Sequence, residues 1–141
     1  MTDSAATLAT PAQADRPVLT GVIPYLAISD AAAAAAFYTR AFGAEEVFRL
    51  PAEDGRRLMH CHLTINGGPL MFSDFCAESA QAKPQGYLLH LQVDDVEAWW
   101  SRAVAAGAEV VMPLTDMFWG DRYGQLRDPF GITWALAAPI G

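Results

Sequence analysis

The order of apolar and polar residues repeats once along this chain. One copy runs through GVIPYLAISDAAAAAAFYTRAFGAEEVFRL and RLMHCHLTINGGPLMFSDF, and the second through GYLLHLQVDDVEAWWSRAVAAGAEVVMPL and GDRYGQLRDPFGITWALAAP. The triplet Gly-Ala-Glu at 43–45 recurs at 107–109, and Gly67 corresponds to Gly131, at a common spacing of about 64 residues. This spacing indicates an internal structural repeat.

Each copy is predicted to contain a strand, a helix and three further strands. YLAIS and LLHLQV are short, apolar and partly alternating, which is typical of half-buried strands. The turn-forming residues NGG at 66–68 and DPFG at 128–131 predict hairpins between the last two strands of each copy. The pattern therefore predicts an α+β fold made of two tandem βαβββ modules.

The six alanines at 31–36 are predicted to belong to the first helix. Ser29 and Asp30 precede them and offer side-chain acceptors to the free amides of a starting helix, as Asp94 and Asp95 do in the second copy. Apolar residues continue the stretch at helical spacing, and glycines at 43 and 107 are expected to end the two helices. Those apolar residues are Phe37, Tyr38, Ala41 and Phe42.

Length and composition favour one globular domain. The chain has 141 residues, of which 52% are hydrophobic, enough to build a sizeable core. Residues 1–17 are rich in Ala, Thr and Pro without periodicity, and we expect them to form a flexible tail. The domain is then 18–141, with modules at about 20–75 and 85–139.

Charge and the chain start exclude several classes of partner. Sixteen acidic against nine basic residues give a formal charge of -7 without a basic cluster, so nucleic acid and anionic membranes are not expected as partners. Apolar segments are too short for a bilayer span, and the N-terminus lacks the basic start of a signal peptide. Cys61 and Cys76 show no zinc or disulfide spacing. A cytoplasmic protein with two reduced thiols is the expectation.

The paired modules, with SDAAAAAAFYTRAFGAE and FWGDRYGQLRDPFGITWALA, resemble the vicinal oxygen chelate superfamily. The resemblance covers about residues 20–139 and is closest to the glyoxalase/bleomycin-resistance group often called PhnB-like. It implies that the modules form a cup-shaped, open mixed sheet with the ligand inside. Isomerases, dioxygenases, thiol transferases and antibiotic-binding proteins share this scaffold, so the fold alone does not determine the activity.

The resemblance also implies where a metal would bind. Metal enzymes of the superfamily carry ligands on the inner faces of the first and last strands of each module, and the corresponding positions here are Ile23, Met71, Leu88 and Ala135. None of these side chains offers a nitrogen or a carboxylate to a divalent ion. A slip of one or two residues in aligning the first strands would recover only His90. We therefore expect neither a metal nor another cofactor.

Strand periodicity assigns a face to each residue of the motif RLMHCHLTI, because successive side chains of a strand point to opposite sides. The wholly apolar set is expected to pack under the helices: Met59, Cys61, Leu63 and Ile65. The other set is expected to line the concave face: Leu58, His60, His62 and Thr64.

The same alternation in LLHLQV puts His90 and Gln92 in the cup, where Tyr25 joins them from the first strand. All three histidines of the chain could then face one cavity. Three interpretations of these histidines remain open. They could form hydrogen bonds in a binding site or a water-filled seam, they could contact a ligand or act as acid–base catalysts without metal, or they could bind zinc. Zinc would bind His60 and His62 but needs a third protein ligand, which the sequence does not identify.

An aromatic segment at 118–123 precedes a strand of the second copy, where cups of this family have a ligand-covering lip. Trp119 could stack on a flat ligand or serve packing alone. Arg122 could anchor a carboxylate or phosphate, or pair with a nearby acid. Asp128 is interpreted as a turn residue.

These observations favour a metal-free small-molecule binding protein of the glyoxalase/bleomycin-resistance type, with a flat or aromatic ligand in its concave cleft. The candidate ligand contacts are Tyr25, Gln92, Trp119 and Arg122. The alternative is a cofactor-independent or non-standard metal-dependent isomerase or lyase, whose candidate catalytic residues are His60, His62 and His90. A homodimer is expected, because cups of this family are commonly completed across a twofold axis and an open sheet edge would otherwise be exposed.

Overall fold

The computed structural model describes residues 19–74 and 86–141, which form two modules of one helix and four strands each. The first module contains β1 (Tyr25–Ile28), α1 (Ala31–Phe42), β2 (Glu45–Pro51), β3 (Leu58–Ile65) and β4 (Gly68–Asp74). The second contains β5 (Leu89–Gln92), α2 (Val96–Ala106), β6 (Glu109–Asp116), β7 (Asp121–Arg127) and β8 (Thr133–Pro139). The α+β class and the βαβββ order are those predicted. The expected tail at 1–17 and Cys76 lie outside the described residues.

Each module folds into one four-stranded mixed sheet, with the order β1-β4-β3-β2 in the first and β5-β8-β7-β6 in the second. The first strand of each module pairs in parallel with the last, and the remaining pairs are antiparallel. The predicted hairpin turn between β3 and β4 is present, with φ of 52° at Asn66 and 81° at Gly67. Two consecutive left-handed residues suit a two-residue hairpin, because their twist matches that of the strands.

Both helices begin and end where the sequence predicts. The Asp30 carboxylate accepts a hydrogen bond from the amide of Ala33, and the Asp95 carboxylate accepts one from the amide of Ala98. Each helix is followed by a left-handed glycine, which satisfies carbonyls of the last turn. These local signals fix the helix bounds independently of the packing.

One hydrophobic core joins the two modules. The ring of Tyr38 on α1 lies 5.8 Å from Phe72 of the first sheet and 5.4 Å from Trp134 of the second. Phe42 packs 4.6 Å from the same tryptophan ring. Helix α1 therefore lies between the sheets, and the side of each sheet that faces the helices faces this shared core. The opposite sides, which we call the first and second outer faces, turn away from the core.

A β-bulge breaks the alternation predicted for β3. Leu50 pairs with His60 but Pro51 pairs with Leu58, so Met59 is an extra residue on its strand. Met59 was expected in the buried set and is 60% exposed, while Leu58, expected on the concave face, is 4% exposed. Beyond the bulge the prediction holds, since the apolar set that follows is buried: Cys61, Leu63 and Ile65.

Asp128 is more than a turn residue. Its carboxylate accepts hydrogen bonds from Tyr38 Oη at 2.7 Å and Trp134 Nε1 at 2.9 Å, and also from the backbone amides of Phe130 and Ile132. The side chain is 4% exposed. Because Tyr38 belongs to the first module, Asp128 connects the two modules through the core.

Neither helix found within 19–74 and 86–141 has the length and apolar character that crossing a bilayer requires.

Candidate functional site

The first outer face carries an aromatic and histidine cluster. Strand pairing places Tyr25, Met71, His62 and Phe48 in one row across the sheet. His60 lies one row away, with its ring centroid 5.7 Å from that of Tyr25 and 6.2 Å from that of Phe48. The cluster therefore offers rings and histidine nitrogens on a face that turns away from the core.

Tyr25 and His60 are joined by a hydrogen bond of 3.1 Å between Tyr25 Oη and His60 Nδ1. Tyr25 is 54% exposed and His60 half-buried, so both are accessible at this face. His62 was expected to adjoin water in a cavity wall, but it is 2% exposed. His60 is thus the more accessible of the two histidines in the motif.

The second outer face carries a polar network over a small-residue floor. Pairing of β5, β8 and β7 gives one row with His90, Ala135 and Gln125, and a neighbouring row with Gln92, Ala137 and Tyr123. His90 Nε2 lies 2.9 Å from Gln92 Oε1, and Gln125 Nε2 donates to Tyr123 Oη at 3.1 Å. Both alanines are 0% exposed, so the polar side chains close over them.

The aromatic segment expected to form a lip lies beside this network. The Trp119 ring centroid is 5.7 Å from that of Tyr123, and Phe118 contacts Trp119 edge to face at 5.0 Å. Trp119 is 50% exposed and Phe118 96% exposed. Rings so placed can stack on a flat molecule bound at the second outer face.

Arg122 does not join this cluster. It alternates with Tyr123 along β7 and so lies on the helix side of the sheet, where it binds the carboxylates of Asp116 and Glu97. The hydrogen bonds that Arg122 donates to Asp116 and Glu97 raise the pKa of its guanidinium. The arginine proposed as a ligand anchor is therefore occupied by two carboxylates on the other side of the sheet.

The three histidines are divided between two faces. His60 and His62 lie on the first outer face and His90 on the second, and the faces turn away from the core that separates them. A cavity of about 290 Å³ does lie between the modules, but it reaches only His90 among the histidines and is otherwise mainly apolar. One chain thus brings together Tyr25 with His60, and His90 with Gln92, but not both pairs in one cavity.

The metal positions implied by the superfamily do not fit a divalent ion. The register places Met71 opposite Tyr25 and Ala135 opposite His90, so the first-strand positions fall two residues later than Ile23 and Leu88. This shift recovers a single nitrogen ligand, that of His90. Across the ranges 19–74 and 86–141, no three His, Cys, Asp or Glu side chains are grouped as metal ligands.

Sequence reasoning missed Tyr123 and Gln125. Both lie on β7, two residues apart, and the alternation of GDRYGQLR was enough to put them on one face. What was lacking was the pairing of β7 with β8, because only that register brings them beside His90 and Gln92.

Comparison with known proteins agrees with this architecture. The family model of the glyoxalase/bleomycin resistance protein/dioxygenase superfamily matches residues 19–136. An uncharacterised protein of Mycobacterium bovis is 42% identical over 125 residues, which cover 83% of this chain and 82% of that protein.

Solved structures give the same result. The crystal structure of TioX from Micromonospora sp. ML1 is similar with a TM-score of 0.68 and 29% identity, over 86% of this chain and 98% of that one. A PhnB protein of Bacillus cereus is similar with a TM-score of 0.68 and 21% identity, over 84% and 99% of the two chains. At 21% identity, the similarity to the PhnB protein shows the fold alone.

Proposed function

The chain belongs to the glyoxalase/bleomycin resistance protein/dioxygenase superfamily, and from that premise we propose that it binds a flat or aromatic small molecule without a metal ion. The observation that carries the proposal is the exposed ring of Trp119 beside the His90, Gln92, Tyr123 and Gln125 network. Small-molecule sites typically combine an apolar wall with a few placed polar groups. The second outer face supplies both.

The proposed binding unit is a homodimer in which the first outer face of one copy closes over the second outer face of the other. The two faces of a single chain turn away from each other, so one chain leaves each cluster open on one side. Apolar side chains are left exposed near both faces: Tyr25 54%, Leu50 44%, Met59 60% and Phe118 96%. A twofold dimer would bury such patches twice.

Sedimentation at micromolar concentration tests the dimer. We expect a species of twice the 15.2 kDa chain mass. A single species at the monomer mass would contradict a cup made from two copies.

Ligand binding is tested by thermal stabilisation in a screen of planar and non-planar molecules. A ligand bound only by the folded state adds about 2.7 kcal/mol at a hundredfold excess over its dissociation constant. Trp119→Ala should abolish the stabilisation by planar ligands, whereas Val104→Ala, which trims an exposed apolar side chain on α2, should not. Equal responses of the two variants would refute the site.

A proton-transfer enzyme is the second candidate, favoured by the hydrogen bond between Tyr25 Oη and His60 Nδ1. A histidine held by a phenol at an accessible face can act as a general acid or base. Once a substrate is identified, His60→Ala should lower the turnover rate far more than the affinity for that substrate. Turnover that is unchanged in this variant would exclude the role.

Metal analysis separates the metal-free proposal from a relocated metal site. Protein purified without chelator should contain no stoichiometric divalent ion after dialysis, because the superfamily's positions offer a single ligand here, His90. An ion that persists at one equivalent would overturn the proposal and favour an enzyme.

A further inference from the structure

The polar network on the second outer face defines which hydrogen-bonding groups remain for a ligand. The Gln92 amide oxygen can only accept, so the contact at 2.9 Å requires the proton on Nε2 of His90. His90 Nδ1 is then left with a lone pair that can accept from a ligand. The Gln92 amide group keeps its N–H bonds as donors.

The hydrogen bond between Gln125 and Tyr123 also leaves one donor and one acceptor for a ligand. Gln125 Nε2 donates to Tyr123 Oη at 3.1 Å, so the phenol oxygen is used as an acceptor and its proton is available to a ligand. Gln125 keeps its amide oxygen as an acceptor. The face therefore offers a ligand donors on Gln92 and Tyr123 and acceptors on His90 and Gln125.

The side chains of the network include no carboxylate, lysine or arginine. Arg122 is held by two carboxylates on the other side of the sheet, and Arg127, the next residue along β7 on this face, pairs with Glu109. The cluster that we propose to lie opposite consists of the rings of Tyr25, Phe48 and His60 and contributes no lysine or arginine. On this face β7 also carries the carboxylate of Asp121, two residues from Tyr123. An anionic ligand would therefore lose hydration without gaining a counter-ion, which is costly in a closed site.

The wall beside the network selects for shape. Trp119 stands edge to face against Tyr123 at 5.7 Å and keeps half of its surface exposed. An aromatic ring stacked on the indole would place its own edge toward the polar groups. Donor and acceptor atoms on that edge would meet complementary partners.

We infer that the site selects planar molecules without negative charge that carry a hydrogen-bond donor next to an acceptor on one edge, as aromatic-fused lactams and imides do. The inference rests on the proposed function, because it concerns the chemistry of the same binding site. In the bound state the ligand N–H donates to His90 Nδ1, and the ligand carbonyl accepts from Tyr123 Oη or the Gln92 amide.

The test is isothermal titration of the full-length protein with three probes of nearly equal size. 2-Quinolinone carries the lactam donor and acceptor, N-methyl-2-quinolinone lacks the donor, and quinoline-2-carboxylate is anionic. We expect 2-quinolinone to bind at least tenfold more tightly than either of the others. Sites built to hydrogen-bond a group discriminate strongly against analogues that lack it.

Two variants test whether the preference for 2-quinolinone depends on the polar network. Gln92→Leu removes the acceptor that fixes the His90 tautomer, and should reduce the tenfold preference for the lactam to less than threefold while planar probes still bind. The control Ser101→Ala, at an exposed position on α2, should keep the full preference. A preference that survives Gln92→Leu would refute the assigned role of the network.

The outcomes separate this inference from the proposed function. Equal affinity for the lactam and its N-methyl derivative would overturn the inference but leave a flat-ligand site standing. Tightest binding of the carboxylate would overturn the selection against anionic ligands. Failure of all three probes to bind would overturn the inference and count against the proposed function as well.

Discussion

Replacing Asp128 with alanine should destabilise the protein more than any exposed substitution. The carboxylate is 4% exposed and accepts four hydrogen bonds, two of them from the buried side chains of Tyr38 and Trp134. Alanine leaves both side-chain donors without an acceptor, in a place where water does not replace it. Each buried unsatisfied donor costs about 1–3 kcal/mol.

The expected loss is about 3–5 kcal/mol in the free energy of unfolding, since removing the buried charge offsets part of the cost of the orphaned donors. That is a large fraction of the roughly 5–15 kcal/mol that stabilises a typical domain. Urea denaturation followed by near-UV circular dichroism measures the change. Tyr38→Phe, which deletes only one of the four donors, should cost about 1–2 kcal/mol.

A double-mutant cycle checks the mechanism. Once Asp128 is alanine, the further change Tyr38→Phe should cost nothing or restore stability, because the phenol no longer has a partner. Burial, followed by the neighbouring charge of Asp128, raises the pKa of Tyr38 well above its ordinary value, in keeping with a buried neutral phenol. A loss below 1 kcal/mol in Asp128→Ala, or additive losses in the double mutant, would refute the view of Asp128 as the link between modules.

Three further predictions follow from single contacts. Gly124→Ala should lower the free energy of unfolding by about 1–3 kcal/mol, because a Cβ there would lie 2.6 Å from the Trp100 ring. The control Gly68→Ala should leave it nearly unchanged in the same denaturation experiments, because its Cβ would meet only a carbonyl at 3.8 Å. Burial raises the pKa of the Cys61 thiol to about 11 from an ordinary 9.0. Between these pH values the thiol ionises more readily in the unfolded chain, so the free energy of unfolding should fall with pH more steeply in wild type than in Cys61→Ala. Equal slopes would contradict this. Arg122→Ala should leave titrations with 2-quinolinone unchanged, because the guanidinium pairs with Asp116 and Glu97 on the helix side of the sheet. A tenfold loss of affinity would place the arginine in the site.

The features that the sequence predicted correctly depend on local signals. The repeat, the aspartate caps and the glycine stops each need only a few consecutive residues, and both helices begin and end where those residues stand. The α+β class follows from the same order of elements. Such signals remain valid whatever the modules pack against.

The features that were missed depend on contacts between distant segments. Met59 is exposed because of a bulge set by pairing with β2, which its own alternation does not reveal. Asp128 and Tyr38 are 90 residues apart, so a turn motif gives no sign of the buried hydrogen bond between them. Within one chain the three histidines lie on two faces, and the repeat does not say which sides of the two sheets face the common core.

Complementation between two variants, each mutated on one outer face, tests most directly whether the binding site is shared between two copies. One variant combines Tyr25→Ala with His60→Ala on the first outer face, and the other combines Trp119→Ala with Tyr123→Ala on the second. If each cup joins faces from two copies, a purified heterodimer of the variants has one intact cup, and it should bind one 2-quinolinone in calorimetry while neither homodimer binds any. A heterodimer that binds none, when the wild-type dimer binds two, would contradict a cup shared between copies.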